Sequence, residues 1–285
     1  MSVSEVKYRR PLNSEQIVVL DTLFRYRFST NEQLARYFSK QSGKAVQKRL
    51  AILEAQGYIA KHYDGSYKLR GKPAEYYLLP KGARVLREKL KKEKSSLIIT
   101  DQAIKNLYKD KNASGSFIAH STSVFNIYLS LRNLYGDKPH FFTKTFMNIE
   151  KYDYIIKPLP DAHIALVVGD TDSKQRKRFF LDYSEDDVPF FVLIRRIKKY
   201  IKYYEEDEWP GDVFPVVLFI TESPRRQKQL QRRIAKELRD AYMEDDDMIF
   251  ATTTIGALAA STKEADAIWQ LVSDPEEVLD LYSIT

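Results

Sequence analysis

Lys44, Gln47 and Lys48 fall within about one turn of what reads as a single helix, and their types suit the reading of a nucleic acid. A glutamine amide can pair twice with an adenine edge, and a lysine ammonium can serve a guanine edge or a phosphate. Ala51, one turn on, is small enough to let such a helix sit close to a groove. Arg49, on the flank of the same helix, is expected at a phosphate. A second basic group, Lys68, Arg70 and Lys72, is interleaved with Tyr67 and Gly71 in a stretch that reads as a loop. Flexible basic loops suit backbone or minor-groove contact. Any one of these residues taken singly reads equally well as a solvated cation. It is their occurrence on both a helix face and a neighbouring loop that favours double-stranded DNA as partner.

The elements needed to position them follow from periodicity and punctuation. A helix is expected to begin at Asn13 or Ser14, with Ile17, Leu20, Phe24 and Phe28 as its buried stripe. A second begins at Thr30, whose hydroxyl can form a capping box with Gln33, and Leu34, Tyr37 and Phe38 give it an apolar face. After a short turn at 39–43, a third spans about residues 44–56 with Val46, Leu50 and Leu53 inward, and Gly57 ends it. Residues 58–63 and 74–79 read as two strands around a loop at 64–73, and Pro80 opens a basic helix over 81–94. Three helices, a hairpin and a closing helix predict a winged helix-turn-helix over 1–95, preceded by a mobile basic arm (Lys7, Arg9, Arg10, Pro11).

Residues 96–118 are largely polar and are expected to be a linker. From 119 to 285 the chain alternates strand and helix patterns. Strands are expected at 140–149, 163–168, 178–183, 213–221 and 248–254, and helices at 120–135, 188–205 and 224–242. That order implies a mixed α/β sheet covered by helices, so the chain is expected to be an α+β protein of two domains. Glu244 to Asp247 reads as a solvated acidic turn, and Tyr200, Tyr203 and Tyr204 as a surface for a homodimer or a partner protein.

Charge divides along the same line. Net charge is +7 overall, yet the basic excess lies in the first hundred residues and the remainder is mildly acidic. A concentrated excess is the electrostatic footprint of a polyanion-binding module. The absence of cysteine excludes disulfides and thiolate metal sites, and His62, His120, His140 and His163 show no metal-ligand spacing. The first ten residues lack the apolar core of a secretory signal, and no run of 18 apolar residues occurs, so a cytoplasmic protein without a membrane span is expected. Nucleotide-binding glycine motifs and the GxSxG of hydrolases are absent.

The order of these features, TNEQLARYF, KAVQKRLAILEAQGYIAKHY and GKPAEYYLLPKGARVL, then LPDAHIAL, FFLDYSEDD, RRIKKYIKYY and FPVVLFITESPRR, resembles the replication-relaxation family of plasmid and mobile-element proteins. The resemblance covers about residues 14–269 and implies a DNA-binding factor in plasmid replication or relaxation, working with replication or transfer proteins. Within it, Pro160-Asp161 before one strand and Asp182 inside the next look like the start of a PD-(D/E)xK nuclease signature, which implies a nuclease-like fold for 119–285. In such enzymes two carboxylates hold Mg²⁺ and a lysine two residues after the second helps to activate water. Ser184 occupies that lysine position, and the cations of the following helix (Arg195, Arg196, Lys198, Lys199, Lys202) are expected to face away from the carboxylates. The expectation is therefore a nuclease-like domain without nuclease activity and without a cofactor. The alternatives are a Mg²⁺-dependent nuclease using Asp161 and Asp182, or a winged-helix transcriptional regulator.

Overall fold

The computed structural model describes residues 11–39, 43–95, 97–149, 152–168, 175–243 and 247–284. The expected basic arm at Lys7, Arg9 and Arg10 lies outside the described residues, as does most of the acidic run at 244–247. The chain forms two compact units, Met1–Ser114 and Gly115–Thr285.

The first unit opens with α1 (Ser14–Tyr26), started by a full capping box in which Asn13 Oδ1 accepts from Gln16 N–H (2.8 Å) and Gln16 Oε1 accepts from Asn13 N–H (3.1 Å). It ends two residues earlier than its apolar stripe suggested. Arg27 takes a positive φ of 71°, and Phe28 leaves the helix to begin β1 (Phe28–Thr30), which pairs with the strand at 75–77. Phe28 is still fully buried, so the sequence signalled its burial but not its element. Thr30 then caps α2 (Asn31–Tyr37) in the expected box with Gln33.

Next come α3 (Gly43–Ala55), β2 (Ile59–His62), α4 (Gly65–Leu69), β3 (Glu75–Leu78) and α5 (Pro80–Lys92). β1, β3 and β2 form an antiparallel sheet in that order. Gly82 lets α5 lie against the start of β2, since a Cβ there would come within 2.4 Å of the Tyr58 carbonyl oxygen.

The linker expected at 96–118 is not one. Thr100 caps α6 (Asp101–Asn106), a 3₁₀ turn follows at Leu107–Asn112, and Ile104, Leu107 and Asp110 are buried. Asp110 is ion-paired to Arg27, and its carbonyl oxygen lies 2.8 Å from His62 Nε2. Burial raises the Asp110 carboxyl above its usual range despite the opposing pull of Arg27. The segment reads as polar because its few apolar residues are spaced for two short turns rather than for one long helix.

The second unit contains α7 (Gly115–Tyr135), β4 (Pro139–Thr143), α8 (Lys144–Ile149), β5 (Ala162–Val168), β6 (Gln175–Ser184), α9 (Phe190–Glu205), β7 (Val216–Thr221), α10 (Pro224–Asp240), β8 (Phe250–Thr254), α11 (Ile255–Ala260), β9 (Trp269–Leu271) and β10 (Val278–Leu279). Its seven strands make one mixed sheet, ordered β10-β9-β8-β7-β6-β5-β4, in which β6, β7 and β8 run parallel and the other pairs antiparallel.

Alternation along the strands feeds two cores. Ile164, Leu181, Leu218 and Ile220 face α7 and α11, while Phe180, Val217, Phe219 and Phe250 face α9 and α10. Leu193, Ile197 and Ile201 of α9 and Leu230 and Ile234 of α10 are buried there, each worth roughly 1.5–3 kcal/mol relative to exposure. Tyr200 and Tyr203 belong to this core, 0% and 3% exposed, which removes them from the expected association surface. The strand expected over 140–149 stops at Thr143, where α8 begins. Among the described residues no helix is long and apolar enough to cross a membrane.

Candidate functional site

On α3 the division of faces is as the spacing predicts. Val46, Leu50 and Leu53 are fully buried, whereas Lys44, Gln47, Lys48 and Ala51 are exposed. The side chains of polar type are thus held outward by an apolar stripe that fixes the helix's rotation. Arg49 differs. It is half-buried, ion-paired to Glu15 of α1, and its guanidinium carbon lies 5.6 Å from the centre of the Phe38 ring.

The loop expected at 64–73 contains the single-turn helix α4. Asp64 Oδ1 caps it, accepting from Ser66 N–H (2.9 Å), Tyr67 N–H (3.1 Å) and the Ser66 hydroxyl (2.7 Å), and these bonds hold the Asp64 carboxyl below its usual range. Asn- or Asp-capped turns are short, and one turn of helix leaves no periodic signature in a sequence. Lys68, Arg70 and Lys72 are all exposed around it, and the Tyr67 hydroxyl donates to Glu75 Oε2 (2.7 Å) to tie the segment to β3.

In the second unit, Asp161 and Asp182 come together as expected, at the entry to β5 and near the end of β6. The Asp161 N–H donates to Asp182 Oδ1 (3.3 Å), and Asp161 Oδ2 accepts from Tyr183 N–H (2.8 Å). What surrounds them was not foreseen. His120 of α7 bridges two acids, with Nε2 2.9 Å from Asp161 Oδ1 and Nδ1 2.6 Å from Glu185 Oε1. Lys144, the first residue of α8, is ion-paired to the same Asp161 oxygen.

Arg196 reverses the expectation that the cations of its helix face away. Its Nε donates to Asp182 Oδ2 (2.7 Å), while its two terminal nitrogens reach the Pro158 carbonyl oxygen and the Tyr200 hydroxyl. That hydroxyl in turn donates to Asp182 Oδ2 (2.7 Å). Leu193, Ile197 and Ile201 of α9 face the sheet, and Arg196, one turn before the buried Tyr200, borders that stripe. A long guanidinium stem can then reach inward from the stripe's edge.

Electrostatics follow from this geometry. Burial alone would raise Asp161 and lower His120, but Lys144 and His120 hold the Asp161 carboxyl well below its usual range. Burial opposes protonation of His120, yet Asp161 and Glu185 outweigh it and push the imidazole up to about 10. Burial likewise works against the Arg196 charge, and Asp182 more than restores it. The His120 imidazole is therefore held protonated between Asp161 and Glu185, and the Arg196 guanidinium lies against Asp182.

This arrangement does not fit the divalent cation that a PD-(D/E)xK site would hold. A hard cation needs anionic oxygens free to coordinate it, and both oxygens of Asp161 and of Asp182 already accept from protein donors. Among the described residues no group of three or more His, Asp and Glu is placed to hold a metal. Ser184, at the signature's lysine position, is 1% exposed and donates to the Glu185 carbonyl oxygen (3.3 Å).

His120 lacks metal-ligand spacing in the sequence, and its two acidic partners lie 41 and 65 residues away, too far for a local signal. Lys144 had no signal, because residues around it were assigned to a strand.

Comparison with known proteins adds a family. The family model described as "Replication-relaxation" matches residues 20–217. A search of curated proteins finds no match. Two solved structures of the restriction endonuclease FokI show slight likeness. The DNA-bound form is 12% identical with a TM-score of 0.30, covering 86% of this chain and 43% of that one. The other FokI structure is 11% identical with a TM-score of 0.29, covering 88% and 44%. The chain thus spans less than half the length of these neighbours, and likeness at that level assigns neither fold nor activity.

Proposed function

This chain belongs to the replication-relaxation family, and from that premise we propose that it binds duplex DNA in plasmid or mobile-element replication or relaxation, through a winged helix built from α1–α3, the β1-β3-β2 sheet and α5. The observation that carries this reading is the outward face of α3, where Lys44, Gln47 and Lys48 surround small Ala51 opposite a fully buried stripe. The exposed cations Lys68, Arg70 and Lys72, at the turn between β2 and β3, supply the wing. An internal ion pair would compromise either group as a DNA contact, and none of these six side chains is buried. In this reading Gln47 and the lysines meet base edges or phosphates, and the wing follows the backbone.

In this reading the DNA-binding part runs to residue 114 rather than 95, a division supported by the first compact unit, which includes α6 and the 3₁₀ turn. On the same reading the second unit serves as a scaffold whose carboxylates Asp161 and Asp182 are committed to internal ion pairs, which supports it over the Mg²⁺-dependent nuclease.

Gel-shift titration of Lys44→Ala combined with Lys48→Ala tests the proposal. Loss of a base-edge contact costs about 1–3 kcal/mol of binding, whereas loss of a phosphate contact chiefly lowers the salt slope. A double variant that binds DNA like the parent at every salt concentration overturns α3 as the recognition helix.

A further inference from the structure

The second unit is acidic as a whole, but its cations are not spread evenly. α9 and α10, which pack side by side over one face of the sheet, hold twelve Lys and Arg against three Asp and Glu. Three of those cations are turned inward or held at the surface of the core: Arg196 to Asp182, Arg226 to the Val188 carbonyl oxygen, and Arg233 to Glu237. The rest stand outward.

On α10 their placement is regular. Arg225, Lys228, Arg232, Lys236 and Arg239 are exposed, and at 3.6 residues per turn they fall within an arc of about 80°. The opposite side carries Leu230 and Ile234 into the core. At about 1.5 Å per residue the stripe is about 21 Å long, with a cation every 4–6 Å or so. Lys236 pairs with Asp240, but among the described residues Arg225, Lys228, Arg232 and Arg239 join no ion pair. Arg195, Lys198, Lys199 and Lys202 of α9 widen the same surface, with Lys198 reaching across to Glu237 (3.5 Å).

We propose that the outer face of α10, flanked by α9, is a second polyanion-binding surface that tracks the phosphate backbone of duplex DNA. A row of five cations, four of them in no ion pair among the described residues, fits a periodic polyanion, one strand of a duplex advancing about 3.4 Å of axis per phosphate. A membrane surface fits poorly, because an interfacial helix must offer an apolar face to the bilayer and this helix has already buried its own. The surface carries no Gln or Asn pattern aimed at base edges beyond Gln229, so its contacts add affinity and salt dependence without sequence preference. It gives a net-acidic unit one locally basic face, since α9 and α10 hold most of their charge as Lys and Arg. The inference stands independently of the α3 reading, since it rests on different residues in a different unit.

The test uses the full chain with Arg225, Lys228, Arg232 and Arg239 all changed to Gln, titrated against a duplex of arbitrary sequence across a salt series by fluorescence anisotropy. Each phosphate contact contributes about 0.9 to the slope of log affinity against log salt, so the slope is expected to shrink by about 2–4. The triple variant Arg225→Lys, Arg232→Lys and Arg239→Lys, which keeps every charge, is expected to retain the parent slope and shows that a loss is electrostatic rather than structural. Lys44→Ala with Lys48→Ala is run in parallel; a parent-like result there and a reduced slope in the quadruple variant removes the α3 reading and leaves this one standing. A parent slope in the quadruple variant overturns the second surface. So does an unchanged DNA slope accompanied by lost binding to a poly-glutamate probe, which would identify an acidic protein as the partner.

Discussion

The exposed face of α3 and the carboxylate cluster of the second unit are both rich in charge, and they solve opposite problems. On α3 the cations stand in water, with no carboxylate among the described residues close enough to claim Lys44 or Lys48. Around Asp161 and Asp182 the charges are paired, and Asp161, Asp182 and Arg196 are nearly buried while Lys144 closes the cluster from a half-exposed position. Solvated, unpaired cations stabilise the fold little but remain available to a polyanion. Buried pairs define the local structure and are spent in doing so, because removing either member strands the other in a medium that solvates it badly. The lesson is that charged residue types at a promising spacing say little about function until their partners are known.

The comparison breaks most directly at Arg196. Its side chain is 11% exposed and that of Asp182 13%. Arg196→Ala is expected to lower stability by roughly 3–5 kcal/mol, the usual cost of leaving one member of a buried pair uncompensated. Urea denaturation reads this. A loss below about 1 kcal/mol would mean that Asp182 is solvated well enough to be free for other work. Lys44→Ala and Lys48→Ala, by contrast, are expected to leave the midpoint within about 0.5 kcal/mol of the parent.

His120 sharpens the comparison through pH. Its folded-state value of about 10 lies above the ordinary 6.5, so its protonated form stabilises the fold. That contribution is fully present below about pH 6.5 and is lost as pH rises through 10. Stability is expected to fall by roughly 2–4 kcal/mol across that window, and His120→Gln should flatten much of the decline. A histidine titrating near 6.5 by NMR, or a variant with the parent's pH profile, would show that Asp161 and Glu185 do not hold the proton.

How far the sequence carried this picture depends on range. Local signals served well: the Asn13 and Thr30 capping boxes, the Val46–Leu50–Leu53 stripe and Pro80 at the start of α5 all act within a few residues of themselves. The pairing of Asp161 with Asp182 was legible because a motif fixed both positions. Arg196 and Lys144 were not, since their roles arise from contacts with residues 14 and 17 positions away, on other elements of the fold. Phe28 shows the same limit within a single residue. Its hydrophobicity continued the helical stripe, but pairing with Tyr77 drew it into a strand, a tertiary demand that outweighed local periodicity.

Arg49 sits on the boundary between the two behaviours and supplies the smallest and most discriminating prediction. It belongs to the helix proposed to read DNA, and its sequence position suits a phosphate contact. Yet its side chain is only 17% exposed, its guanidinium meets Glu15, and it lies over the Phe38 ring. An arginine so engaged would have to surrender an ion pair and a cation–π contact before reaching a phosphate, and each is worth about 0.2–1 kcal/mol in a partly exposed setting. Its present contacts join α1 and the end of α2 to α3, which makes it a strut that sets the angle of the helix. Arg49→Ala is therefore expected to lower stability by about 0.5–1.5 kcal/mol while leaving the salt slope of DNA binding unchanged. Melting curves and a salt-series titration on the same variant separate the outcomes. A slope reduced by about 0.9 at unchanged stability would return Arg49 to the DNA-contacting set and show that Glu15 releases it on binding.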